Sequence, residues 1–223
     1  RGQYPVLMNK LEFSGDWNNR PRDLANVSSW MSRFFERPVR WQVTNLRSSV
    51  AELHDSRILY MSGNKEFKFS AAEIAKLRAY ILQGGTLMSC TECSGKGYKK
   101  SFRELCLQLF PQWKLEKVAK DGAIYRSLFP LHTDKSAPEM YMVHNGIRPL
   151  TIHSADDLSK FWQILVPHTK PDRLSKPGMT QIVPNTIRYV VGKMEDLQAA
   201  GSFRWPSAVK ASSTIPVAHV KHN

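Results

Sequence analysis

Two cysteines three residues apart, Cys90 and Cys93, are the clearest candidates for chemistry in this chain. Three kinds of reaction are open to them. A cysteine on a tight strand-to-helix turn can act as a nucleophile, because the helix amides lower the thiol pKa and receive an oxyanion. Two cysteines at this spacing, after a strand and before a helix, also suit thiol–disulfide exchange. A metal corner is the third, but no second Cys-x-x-Cys and no pair of histidines supplies the other ligands. The plain alternative is two small thiols packed at a turn. A nucleophile elbow carries glycine on both sides of the reacting residue, whereas Met88, Ser89 and Thr91 surround Cys90.

A nucleophile needs a base. Among His54, His132, His144 and His153, only His153 ends an apolar run where it can face a crevice. The competing role for His153 is a hydrogen-bonded structural residue. Asp16, beside Trp17 in a glycine-containing turn, is either a ligand contact or a carboxylate that accepts backbone amides. Asp156 and Asp157 precede Leu158 and Phe161, so at least one of them reads as a helix cap. A Cys-dependent hydrolase or amidotransferase would combine Cys90 and His153 with Asp16 or Glu92. No cofactor and no metal is called for.

These residues need elements to hold them. Val6–Phe13 reads as a first strand closed by Ser14-Gly15. Leu24, Val27, Trp30, Met31, Phe34 and Phe35 recur at helical spacing. Val39, Trp41 and Val43 alternate as a second strand, and Arg57–Ser62 has the short apolar centre of a strand covered on both faces. Ser70 and Glu73 form a capping box that opens a helix through Ile74, Leu77 and Ile81, with Gly84-Gly85 as its stop. Thr86–Cys90 is the next strand. Phe102, Leu105, Cys106, Leu109 and Phe110 follow a helical period, which puts Cys106 on a buried face. His144-Asn145-Gly146 between extended runs predicts a hairpin. Met179–Val191 predicts a helix with Pro184 in its first turn. The alternation of strands and helices indicates an α/β layer sandwich on a mostly parallel sheet, with a hairpin added toward the C-terminal half.

In such a sheet, ligands bind beyond the carboxyl ends of the strands, near the reversal of strand order. That rule selects Ser14-Gly15-Asp16-Trp17-Asn18, Ser62-Gly63-Asn64, Cys90-Thr91-Glu92-Cys93 and His153-Ser154-Ala155-Asp156-Asp157. Strand-to-helix turns also use such residues simply for capping.

The 223 residues carry 32 Lys and Arg against 19 Asp and Glu, a net charge of +13. The densest basic stretch is Lys96–Lys120, and no basic run alternates with aromatics as a base-stacking platform would. Charge therefore points to an acidic partner or a solvated face more than to nucleic acid. No run of eighteen apolar residues exists to span a bilayer. Residues 1–198 read as one α/β domain. Residues 199–223 read as a linker followed by the first strand of a second copy, because Pro5, Val6 and Lys10 recur at the same spacing in Pro216, Val217 and Lys221.

Several of these segments, taken in order, resemble one family. Leu11-Glu12-Phe13-Ser14-Gly15-Asp16-Trp17-Asn18, Leu59-Tyr60-Met61-Ser62-Gly63, Gly84-Gly85-Thr86-Leu87, Ser101-Phe102-Arg103 with Leu109-Phe110-Pro111, and Ser154 through Leu158 resemble the bacterial family called domain of unknown function 4159. The resemblance covers roughly residues 5–195. It implies a flavodoxin-like three-layer sandwich similar to class I glutamine amidotransferases, a bacterial and extracytoplasmic setting, and a part in assembly or partner binding. Asn64 stands where the family pattern implies histidine, and Asp121-Gly122-Ala123 replaces a His-Pro-hydrophobic pattern. No His-x-Glu pair follows toward the C-terminus, as an amidotransferase would have it. The residues together point to a non-enzymatic domain that binds a small ligand or a protein partner at the strand ends, ahead of the cysteine enzyme and of a thiol redox protein.

Overall fold

Every residue of the apolar runs at 58–63 and 86–91 is buried, the pattern of strands covered on both faces. The computed structural model describes residues 6–36 and 38–191. In chain order it contains β1 (Val6–Glu12), α1 (Asp23–Phe34), β2 (Arg40–Asn45), α2 (Val50–Leu53), β3 (Ile58–Gly63), α3 (Ala71–Leu82), β4 (Thr86–Thr91), α4 (Lys96–Leu109), β5 (Glu116–Lys117), β6 (Met140–His144), β7 (Pro149–Ser154), α5 (Leu158–Gln163) and α6 (Pro177–Val191). The sheet order is β2-β1-β3-β4-β7-β6-β5. Strands β2, β1, β3, β4 and β7 are parallel, and β6 and β5 extend the sheet antiparallel. In chain order the parallel strands run 2-1-3-4-5, the flavodoxin-like winding, whose reversal lies between β1 and β3.

Two cores fill the layers. Met8, Tyr60, Met88, Cys90 and Ile152 pack against α1, α5 and α6. Leu11, Leu59, Met61, Leu87 and Leu150 pack against α2, α3 and α4. Alternation along β3 and β4 sends neighbours to opposite cores, so the fold is an α/β three-layer sandwich.

Local chemistry fixes several boundaries. Ser70 and Glu73 satisfy each other's free backbone donors at the start of α3, and Gly84 at φ +111° ends the helix, with its N–H on the Ile81 carbonyl. At the hairpin, Asn145 Oδ1 accepts from the N–H groups of Ile147 and Arg148, and Gly146 adopts φ +90°. Ile147 lies in the turn and is 88% exposed, so β7 starts two residues later, at Pro149.

Proline placement in α6 differs from expectation. Pro177 occupies the start of the helix, and Pro184 sits in its interior. An interior proline costs about 3 kcal/mol. Tertiary anchoring offsets this: Ile182, Val183 and Ile187 are in the core, and Asn185 bonds Ile124 and Phe129 through its side chain. No helix among the described residues is long and apolar enough to cross a membrane. The linker and second copy expected at 199–223 lie outside the described residues.

Candidate functional site

Hydrogen bonds tie the four turns beyond the strand ends into one rim. Asp16, after β1, accepts the Asn64 N–H at 2.9 Å and the Asn19 side-chain amide at 2.9 Å through Oδ2. The same Asn19 amide reaches Glu92 Oε2 at 3.0 Å, which joins the β1 and β4 turns. Glu92 Oε1 accepts the Ser159 hydroxyl at 3.2 Å, which adds the start of α5. Asp157 caps α5 by accepting the Lys160 N–H at 2.9 Å, and its other oxygen takes the Cys93 N–H at 2.9 Å and Arg20 at 3.3 Å.

The rim only partly coincides with the residues chosen from sequence. Gly15 and Asn18 are exposed in the β1 turn, and Trp17 packs half-buried against the α3/α4 core. The bridging residues are Asn19 and Arg20, just beyond the segment singled out. Gly63 is packed so closely that a Cβ there would fall 2.7 Å from Asp16 Oδ1. Ser154 donates to the Asp156 carbonyl, and Asp156 turns its carboxylate to the Glu139 N–H at 2.7 Å. Asp157, rather than Asp156, therefore joins the rim. Two polar atoms of the rim residues are buried without a well-formed hydrogen bond. One is Asp16 Oδ1, in a carboxylate that also approaches the N–H groups of Asp16 and Lys65, and the other is Ser62 Oγ, which only approaches Glu92 and the Tyr60 hydroxyl.

The expected pairing of Cys90 with His153 fails on sheet geometry. In the β4–β7 register Ser89 lies opposite His153 and Cys90 opposite Ser154. Cys90 points to the α1/α5 core, where Sγ accepts the Leu158 N–H at 3.2 Å. His153 points to the other side, between the hydroxyls of Ser89 at 3.2 Å and Thr91 at 3.3 Å, with its ring stacked on Phe102. The sheet separates the two side chains. Each is also chemically quiet, since burial pushes the Cys90 thiol well above its ordinary value and holds His153 down to about 3, helped by Lys99 and Arg103.

The exposed thiol is Cys93. Strand β4 runs to Thr91, one residue further than expected, so the sharp turn falls at Cys93 (φ +48°) and Ser94 (φ +58°). Arg20 Nη2 lies 3.5 Å from Cys93 Sγ. Two residues on, Gly95 is obligatory, because a Cβ there would sit 2.3 Å from the Asn64 carbonyl oxygen. The Cys-x-Gly spacing of 93–95 was the available signal for this turn.

Beneath the rim lies a charged group that sequence reasoning missed. Lys10 and Asp23 form an ion pair at 2.7 Å with both side chains essentially inaccessible. Asp23 also accepts the Leu24 N–H at 2.7 Å and faces the Tyr60 hydroxyl at 3.4 Å. Lys10 donates further to the Arg20 carbonyl at 2.8 Å, so the buried pair steadies the rim from below. Burial raises the Asp23 carboxyl against the pull of Lys10 and the Leu24 N–H. Burial likewise raises Glu92, opposed by the Asn19 amide. At Asp16 burial also pushes upward, but the Asn64 N–H and Asn19 amide outweigh it and hold the carboxyl below its ordinary value. Among the described residues, no group of three or more His, Cys, Asp or Glu is arranged to hold a metal ion.

Comparisons with known proteins supply a family and no reaction. No curated protein matches the chain. A solved structure from Thermoplasma acidophilum, described as that of a candidate GMP synthase component, shares 12% identity at a TM-score of 0.43, covering 86% of this chain and 96% of that one. The likeness is too weak for any residue role to be carried across. The profile of the family described as "Domain of unknown function (DUF4159)" matches residues 7–191, which span β1 to the end of α6, and the chain belongs to that family.

Proposed function

We propose that this α/β domain binds a small polar ligand, or a polar group of a protein partner, at the rim over the ends of β1, β3 and β4. One observation carries the reading. The bridges Asp16–Asn64, Asn19–Glu92 and Asp157–Cys93 gather the turns at the strand-order reversal, and Ser62 Oγ and Asp16 Oδ1 are left there without a well-formed hydrogen bond. Carboxylates dominate the rim, so a ligand presenting N–H or O–H donors fits best. Catalysis through Cys90 and His153 is not part of the proposal, since no proton can pass directly between groups on opposite faces of the sheet. Thermal denaturation with amines, amino acids and polyols tests it. A ligand of this site raises the melting temperature of the wild type and not of Asn19→Ala or Ser62→Ala. A ligand that stabilises all three equally binds elsewhere and overturns the reading.

A second reading is favoured by the position of Cys93. Thiol chemistry in this domain would fall to Cys93, because it is the exposed cysteine at the strand-to-helix turn and Arg20 stands beside its sulfur. Rapid alkylation of Cys93 that is slowed in Arg20→Ala would support this reading. An alkylation rate equal to that of a free cysteine, unchanged in Arg20→Ala, would sink it.

A further inference from the structure

Helix α4 buries Tyr98, Phe102, Leu105, Cys106 and Leu109 against the sheet. Its opposite face carries Lys96, Lys99, Lys100 and Arg103, which fall on one stripe at 3.6 residues per turn. The stripe ends at Leu107, which is 51% exposed. Among the described residues none of the four cations is within ion-pair distance of an acid, although Lys99 lies near enough to help lower the Glu139 carboxyl; the ion pairs there are Lys10–Asp23, Arg20–Asp157 and Lys117–Glu139. Their placement is also unfavourable for the helix itself. They crowd its N-terminal half, where the macrodipole is already positive, the first turn holds no acid, and Gly95 offers no side-chain cap.

A slot of about 270 Å³ runs beside the stripe, between α4 and the segment entering α3. Phe67, Phe69 and Leu105 supply its apolar lining, with Lys68 and Glu104 among its polar residues. Slot and stripe adjoin where Lys100 of the stripe and Glu104 of the slot neighbour each other one turn apart, while Lys99 and Arg103 lie on the flank of α4 toward Glu139 and Tyr141. We propose that this face of α4 docks an acidic protein segment whose carboxylates lie along Lys96, Lys99, Lys100 and Arg103 and whose apolar side chain enters the slot. Charge complementarity selects an anionic partner, and the slot between Phe67, Phe69 and Leu105 takes one apolar side chain of an acidic polypeptide; a single-stranded nucleic acid, whose bases could also enter it, is the alternative the DNA probe tests. The slot contains none of the rim residues, although the stripe begins at Lys96, next to Gly95 and the Asn64 turn.

Fluorescence anisotropy with three labelled probes tests the proposal. The first is a peptide of about twelve Asp and Glu residues around one Phe, the second its Phe→Ser version, and the third a single-stranded DNA of equal charge, all at about 0.15 M salt. The Phe peptide is expected to bind several-fold tighter than the Ser peptide and tighter than the DNA. The combined Lys96→Gln, Lys99→Gln, Lys100→Gln and Arg103→Gln variant weakens it by about tenfold or more, at a few tenths of a kcal/mol for each charge. The same neutralisation at Lys160, Lys170, Arg173 and Lys176 changes binding by less than about twofold. The α4 variant melts no lower than the parent, because its charges oppose the helix dipole. Tighter binding of the DNA, equal peptide affinities, equal loss in the control variant, absence of peptide binding, or a lower melting temperature would each overturn the proposal.

Discussion

The two sides of the sheet bury polar groups at the same strand ends in opposite ways. On the α3/α4 side the network around His153 is neutral and closed: Ser89 meets Tyr98 at 3.0 Å, and His153 bonds Ser89 and Thr91. On the α1/α5 side the groups are titratable and open toward the rim: Lys10, Asp23 and Glu92 are buried, and Ser62 Oγ lacks a well-formed bond. A satisfied neutral network specifies packing. A charged, incompletely satisfied one is costly unless something else uses it. The contrast assigns His153 to structure and leaves the proposed binding chemistry to the rim.

The strongest way to break the contrast is Lys10→Met. It leaves Asp23 buried without its cation and is expected to cost about 3–5 kcal/mol in urea unfolding. Adding Asp23→Leu recovers much of that loss, since no charge then remains buried. A small cost for the single change would show that the pair is hydrated and that the two sides are alike.

Acid sharpens the other side. His153 stays neutral in the fold down to about 3, whereas in the unfolded chain it titrates at its ordinary 6.5. Its contribution is therefore complete above pH 6.5 and is lost as pH falls toward 3, by at most about 1.4 kcal/mol for each pH unit. His153→Gln keeps hydrogen-bonding capacity and flattens this slope relative to the parent. An unchanged slope would mean that His153 already carries its proton in the fold.

Gly95→Ala acts between the two sides, driving a Cβ into the Asn64 backbone at a cost of about 1–3 kcal/mol. It also pulls the β3 and β4 turns apart, so it abolishes the ligand-induced rise in melting temperature where a mild core substitution does not. The smallest effect belongs to Cys93→Ala, within about 0.5 kcal/mol of the parent. Iodoacetamide modifies one cysteine in the native wild type and none in that variant, because Cys90 and Cys106 are buried. Labelling of Cys90 in the native state would contradict its position between β4 and α5.

Much of this was legible in the sequence because it is local. Ser70 with Glu73, Gly84 after Ile81, and Asn145-Gly146 act through neighbours three or four residues away, and all shape the structure as expected. Four strand-end turns could be chosen by rule, and they do converge. Pro184 was misplaced because the anchors that hold α6 through it, Ile124 and Phe129, lie about sixty residues away in sequence. Asn19 and Arg20 were passed over because an Asn and an Arg after a turn look like solvent-facing residues until Glu92 and Asp157 are placed beside them.

The sequence by itself determined which residues alternate, which recur at helical spacing and where the chain turns, since these follow from short-range sterics and hydrogen bonding. Only the tertiary structure decided that Lys10 meets Asp23, that Cys90 and His153 are divided by the sheet, and that Cys93 is the accessible thiol. Those outcomes depend on strand register and order, set by the simultaneous burial of both sheet faces.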